Sequence, residues 1–127
     1  MTKKSWFNGH AHSYYSFLDG YSRPSSYAER AVILGMPAAV ITDHGHIHGW
    51  PEHEQACKDA GIKAIFGIEA YQARKTRFDM DPEERAGPAT HEWEQRGPYH
   101  LTMMAKDRAG YDNIIKLSSK AYLEGYY

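Results

Sequence analysis

Ala38-Ala39-Val40-Ile41-Thr42 is a short apolar run without alternation, and it leads straight into Asp43-His44-Gly45-His46-Ile47-His48-Gly49. A strand buried on both faces of a parallel sheet reads this way, because layers cover both sides and no position must face water. An aspartate and three histidines then crowd the carboxyl end of that strand. In α/β architectures the chemistry gathers at such ends. The stretch therefore indicates both a fold class and a place for a site.

Downstream, Pro51 can open a helix over 51–60 that Gly61 closes. On that helix Cys57 is expected on the buried side and chemically inert, while His53 is expected to face solvent. Lys63-Ala64-Ile65-Phe66-Gly67-Ile68 is the next strand, and it leads into Glu69. Upstream, Pro24 opens a helix over 24–34, with Tyr27, Ala31 and Leu34 on one face and Gly35 at its end. Before it comes a polar, aromatic loop with Asp19-Gly20, whose composition suits a turn. Trp6-Phe7-Asn8-Gly9-His10-Ala11-His12-Ser13 is expected to form the end of a first strand. Side chains two apart on a strand share a face, so His10 and His12 would stand together and can close onto one metal ion.

Beyond Glu69, residues 74–98 shift to charge, proline and glycine, and form an excursion. Tyr99-His100-Leu101-Thr102-Met103-Met104-Ala105 is a fourth strand. Asp107 can cap a helix to about residue 123, with Tyr111, Ile114, Ile115, Leu117 and Tyr122 as its apolar positions. His100 begins its strand, so it meets Glu69 only if that strand runs antiparallel to the preceding one. Strands alternating with helices make the fold class α/β, with about four strands, in one domain over 1–127.

Composition narrows the function classes. Fifteen Lys plus Arg against 16 Asp plus Glu argue against a dedicated nucleic-acid-binding surface. A pocket that holds phosphate through bound metal remains open. A single cysteine allows no internal disulfide and suits a reducing compartment, so the chain is expected to be cytoplasmic. No apolar h-region follows Lys3-Lys4 and no apolar run is long enough to span a bilayer, so neither a signal peptide nor a membrane partner is expected. Ser13, Ser118 and Ser119 lack a base at motif spacing, which disfavours nucleophilic catalysis. His46 and His48 are candidates for accessory ligands or substrate contacts.

Gly9-His10-Ala11-His12-Ser13 with Phe17-Leu18-Asp19-Gly20, then Ile41-Thr42-Asp43-His44-Gly45, Gly67-Ile68-Glu69-Ala70-Tyr71 and Tyr99-His100-Leu101-Thr102 resemble the PHP (polymerase and histidinol phosphatase) domain. The nearer likeness is to the form at the N-terminus of bacterial DNA polymerase III alpha subunits. Gly110-Tyr111-Asp112-Asn113-Ile114-Ile115-Lys116-Leu117-Ser118-Ser119 looks like that polymerase branch. The resemblance implies a distorted (β/α) barrel, here partial, that holds up to three divalent metal ions. Zinc, manganese and iron all suit mixed His and carboxylate ligands. By position, His10 and His12 would hold one metal, and Glu69 would bridge it to a second that His100 also binds. Asp19 and His44 would hold a third. The catalytic candidates are Glu69 and Asp43, the latter orienting a ligand histidine by hydrogen bond.

The family completes its site with a later His or Cys and a terminal Asp-x-His pair. This sequence has no histidine after His100, and Cys57 is its only cysteine. The leading expectation is the N-terminal part of a polymerase PHP domain, a metal-dependent phosphoesterase fold with possible 3′-5′ exonuclease activity in DNA replication. Its partner would be the remainder of the polymerase, with DNA contacted indirectly. Two alternatives stand beside it: a stand-alone phosphatase for a small phosphate monoester, and a non-catalytic module that completes a polymerase in trans. An open barrel edge would also allow oligomerisation.

Overall fold

The computed structural model describes residues 6–73, 76–78 and 99–125. Among them are α1 (Pro24–Ile33), β1 (Ala38–Ile41), α2 (Trp50–Asp59), β2 (Lys63–Gln72), β3 (Tyr99–Met104) and α3 (Arg108–Glu124). Apart from 76–78, the excursion expected over 74–98 lies outside the described residues.

The three strands form one sheet in the order β1-β2-β3, so β2 is central. Its two halves use different partners. Ala38 to Ile41 pair in parallel with Lys63 to Phe66, whereas Gly67 to Gln72 pair antiparallel with Met104 to Tyr99. The antiparallel pairing on which His100 depended is therefore formed. The register sets Tyr71 opposite His100 and Glu69 opposite Thr102, and paired positions in a ladder share a face. Beyond the end of β1, His44 makes an isolated parallel bridge to Glu69.

All four residues of β1 are buried, as its unbroken apolar run requires. One core cluster joins Ala28 and Ala31 of α1 to Ala39 of β1 and Cys57 of α2. A second joins Ile41, Trp50, Ile68 and Ile114, and brings α3 onto β2. Pro24 starts α1 at a position where its missing N–H costs nothing. The buried stripe of α1 is Pro24, Ala28 and Ala31, which shares Ala31 with the expected face but not Tyr27 or Leu34. Leu34 lies beyond the last turn and stays 42% exposed, and Tyr27 sits at the stripe's edge, where its hydroxyl reaches the His12 carbonyl at 2.7 Å. At the start of α3 the Asp107 carboxylate accepts from the Gly110 N–H at 2.9 Å, the expected cap.

Two expectations need correction. Residues 6–13 do not form a strand. They run beside the end of β1, joined by the Thr42 N–H donating to the Ala11 carbonyl at 2.7 Å. The Ala11 N–H meets the Thr42 hydroxyl at 3.1 Å, where a strand would meet a carbonyl. A hydroxyl thus replaces the second rung, and the segment turns away at Ser13. His53 is fully buried, not solvent-facing. Its Nε2 lies 3.2 Å from both the Ala39 and Ile65 carbonyls, so the ring bridges β1 and β2 where a purely apolar side chain would leave their edges unbridged. Burial pushes its pKa down, against the pull of those two carbonyls.

Candidate metal centre

Donor atoms from four separate stretches converge at the rim formed by the Ala11 segment, the end of β1 and the outer half of β2. Glu69 is the hub. Its Oε2 contacts His10 Nε2 and lies 3.0 Å from His12 Nε2. Its Oε1 lies 2.8 Å from His100 Nδ1 and 3.9 Å from His44 Nδ1. Asp19 Oδ2 lies 3.1 Å from His44 Nε2 and 3.7 Å from His12 Nε2. Three donor groups result: His10, His12 and Glu69; His12, Asp19 and His44; and His44, Glu69 and His100. Within each, the donor atoms lie within 4.8 Å of one another. All six residues expected as ligands are therefore brought together, with His12 and His44 each standing in two of the groups rather than one.

Although Glu69 is buried, its pKa is lowered. Burial pushes it up, but hydrogen bonds from His10 and His100 and the nearby His44 outweigh that. Burial and the neighbouring His44 also push His12 down, toward the neutral imidazole that can offer a lone pair. The rings of His12 and His44 stack at 4.3 Å with planes 8° apart, and Tyr71 continues the column at 5.9 Å and 7°.

Asp43 plays a different part from the one expected. Its carboxylate accepts from the Ser13 N–H at 2.6 Å, the Ser13 hydroxyl at 2.8 Å and the Ser16 hydroxyl at 3.2 Å. The Ser16 oxygen in turn accepts from the His44 N–H at 2.9 Å. Asp43 thus grips the backbone around the ligands, not an imidazole, and is a positioning residue. The loop it anchors is further tied to α2, where Glu52 accepts from the hydroxyls of Tyr14 at 2.7 Å and Tyr15 at 3.1 Å. Ser16 and the two tyrosines were not singled out from the sequence, and Ser13 was weighed only as a nucleophile; two serines three apart in a turn are the only local signal.

That loop is tightly made. The Asp19 and Gly20 N–H groups both donate to the Ser16 carbonyl, at 3.0 and 2.8 Å. A Cβ at Gly20 would fall 1.9 Å from the Ser13 carbonyl oxygen, so only glycine fits. Leu18 adopts φ 67, a left-handed backbone that costs a residue of its type on the order of 1–3 kcal/mol. Asp19 therefore projects from a closed, strained turn.

His46 and His48 stack on each other at 4.6 Å, and His46 Nε2 reaches the Tyr15 carbonyl at 3.1 Å. Neither belongs to the three donor groups. A cavity of about 400 Å³ opens over the site and is lined by Asp19, His44 and His100 among others. A neighbouring cavity of about 450 Å³ between the sheet and α3 is lined mainly by apolar side chains and by none of the donors, so the chemistry belongs with the first.

The residues present fit a divalent metal ion. His10 and His12 bring their Nε2 atoms to 3.0 Å, close to the roughly 3.3 Å between ligands around an ion bound at about 2.0–2.1 Å. Three buried ring nitrogens, Nδ1 of His12, His44 and His46, have no hydrogen-bond partner among the described residues. Of these, His44 Nδ1 faces the Glu69 carboxylate at 3.9 Å, where a shared cation could take its lone pair.

Comparison with known proteins agrees. The DNA polymerase III alpha subunit of Treponema pallidum is 42% identical over 127 residues, covering the whole of this chain and 10% of that protein. The corresponding subunit of Mycobacterium tuberculosis is 41% identical over 128 residues, covering 95% of this chain and 10% of its own length. The likeness falls in the N-terminal region of those subunits. The chain spans about a tenth of the curated relatives it matches. Among solved structures, a protein assigned as a metal-dependent phosphoesterase from Bifidobacterium adolescentis is similar with a TM-score of 0.52 and 27% identity, over 57% of this chain and 25% of that one. An amidohydrolase from Chromobacterium violaceum has a TM-score of 0.55 and 19% identity over 90% of this chain and 34% of its own, and shares the fold. The mixed α/β arrangement is that of a partial distorted barrel. The PHP domain family matches residues 8–127, and this chain belongs to it.

Proposed function

We propose that this chain is the metal-binding part of a PHP-type phosphoesterase belonging to a DNA polymerase III alpha-like protein, with 3′-5′ exonuclease activity on DNA. The observation that carries the reading is the shared Glu69 carboxylate, whose two oxygens face different histidine sets. A carboxylate so placed suits two neighbouring cations, and the His-rich donor set suits zinc or manganese, with iron also compatible. His10, His12 and Glu69 would hold one ion, Glu69 with His44 and His100 a second, and His12, Asp19 and His44 a third. Bound there, such ions lower the pKa of water and neutralise charge on a phosphoryl oxygen. The chain's own contribution is to bias His12 toward the neutral imidazole, favour the ionised Glu69 carboxylate and fix the Asp19 loop through Asp43.

Among the described residues no helix is long and apolar enough to cross a membrane. The remainder of a polymerase is the proposed partner, reached across the open side of the sheet, and the proposed location is the cytoplasm.

The test is elemental analysis of the purified chain beside the His10→Ala/His12→Ala double variant. We expect zinc, manganese or iron at one or more equivalents in the parent and a loss of at least one equivalent in the variant. Equal metal content in both would refute the assignment.

A further inference from the structure

Residues 6–13 carry two of the ligands without being a strand, so separate contacts must hold their backbone in place. The His10 N–H meets Asn8 Oδ1 of the same segment at 3.3 Å. His12 is held from elsewhere in the fold. The Tyr27 hydroxyl, on α1, donates to the His12 carbonyl at 2.7 Å, while the flanking residues are tied to the end of β1, Ala11 to Thr42 and Ser13 to Asp43. The same carbonyl abuts the turn that carries Asp19, since a Cβ at Gly20 would fall 2.7 Å from its oxygen. The Tyr27 ring packs against the core cluster of Ile41, Trp50, Ile68 and Ile114. Phenylalanine would supply that packing equally, so what the hydroxyl adds is the hydrogen bond. The orientation of the His12 carbonyl sets the direction of the imidazole and the surface on which the Asp19 turn rests.

Resting on the metal-centre reading, we propose that Tyr27 is a positioning residue, whose hydroxyl fixes the His12 peptide and thereby the spacing of His12 and Asp19 for the ion that both would hold. Those two residues belong to one donor group with His44, and their donor atoms lie 3.7 Å apart. Without the hydroxyl the peptide samples other orientations in the free chain, and binding must reorder it. The cost therefore falls on metal affinity, and it falls unevenly: the group of His44, Glu69 and His100 does not contain His12.

The test is a titration of the whole chain in zinc-buffered solutions, read by NMR at the rings of His12 and His100, for the parent, Tyr27→Phe and Asp107→Ala. Tyr27→Phe keeps the ring in the core and removes the hydroxyl alone. Asp107→Ala removes the α3 cap, a loss of stability of similar order at a place with no bond to His12. In Tyr27→Phe we expect the free zinc at half-saturation of His12 to rise about tenfold, the lower end of what a partner behind a metal ligand supplies, and that of His100 by no more than about twofold. Asp107→Ala should move neither. An unchanged midpoint at His12 in Tyr27→Phe overturns the proposal while leaving the metal centre in place. Equal weakening at His12 and His100 also overturns it, as does an equal shift of His12 in Asp107→Ala, because either result marks general loosening of the fold. Absence of zinc uptake by the parent chain overturns the metal-centre reading itself, and the role of Tyr27 with it.

Discussion

Replacing Asp43 with alanine withdraws the acceptor from three donors at once: the Ser13 N–H, the Ser13 hydroxyl and the Ser16 hydroxyl. Asp43, Ser13 and Ser16 are all buried, so water does not readily take its place. The hydroxyls can rotate toward other acceptors, but the backbone N–H cannot. A hydrogen bond to a charged group contributes about 1.5–3 kcal/mol, and a buried unsatisfied donor costs about 1–3 kcal/mol. Part of this is offset because the carboxylate's own desolvation disappears with it. The net loss should be about 3 kcal/mol. Asp43→Asn keeps one acceptor oxygen and presents an amide that the Ser13 hydroxyl can accept from, so it should lose about 1–1.5 kcal/mol. Against a total stability of about 5–15 kcal/mol for a domain, the alanine change is severe.

Urea unfolding followed by far-UV circular dichroism gives both differences, and elemental analysis of the same samples follows the ligands. The Ser16 oxygen also holds the His44 N–H, and Asp19 rides on the same loop. Asp43→Ala should therefore lower occupancy of the group formed by His12, Asp19 and His44 more than that of the group containing His10. A midpoint unchanged in Asp43→Ala, or an asparagine variant as unstable as the alanine one, would refute the view of Asp43 as the loop's anchor.

Two other outcomes follow from the packing. His53 is neutral in its buried place, so its folded-state pKa lies below the ordinary 6.5. The unfolded chain then binds more protons between the two values, and stability falls as pH drops below about 6.5 toward the folded-state value. His53→Gln retains a side-chain N–H for the two carbonyls and should flatten that slope in urea midpoints measured from pH 7.5 to 5; an unchanged slope would exclude His53 as its source. Gly20→Ala sets a methyl 1.9 Å from the Ser13 carbonyl oxygen and should cost more than about 2 kcal/mol. Gly61→Ala meets open space at φ +70 and should cost only about 1 kcal/mol. The reverse order would show that the Gly20 turn is looser than its geometry indicates.

Much of this arrangement can be read from the sequence because its signals are local. The apolar run before Asp43, the prolines opening α1 and α2, and the cap at Asp107 each act within a few residues of their cause. The convergence of the six candidate ligands was legible because strand ends and short motifs place them at one rim. What escaped was non-local. Nothing around His53 reveals that two carbonyls on different strands await its ring, and a histidine on a helix otherwise reads as polar surface. The segment before Ser13 carries strand-like residues, yet Thr42 supplies a hydroxyl where a second ladder partner was needed. Asp43 stands beside His44 in sequence, so a hydrogen bond to an imidazole was the natural expectation. Its actual partners come from a turn about 30 residues earlier.

The change of partners halfway along β2 has a consequence for how such chains tolerate insertions and deletions. Glu69 and His100 meet only because the antiparallel ladder sets Tyr71 across from His100. Losing one residue within β3 would send the imidazole to the reverse side of the sheet, since side chains alternate. Lengthening or shortening the connection between β2 and β3 need not disturb that match. Variation among homologous sequences should therefore accumulate between 73 and 98, while the spacing from His100 to the end of β3 stays fixed.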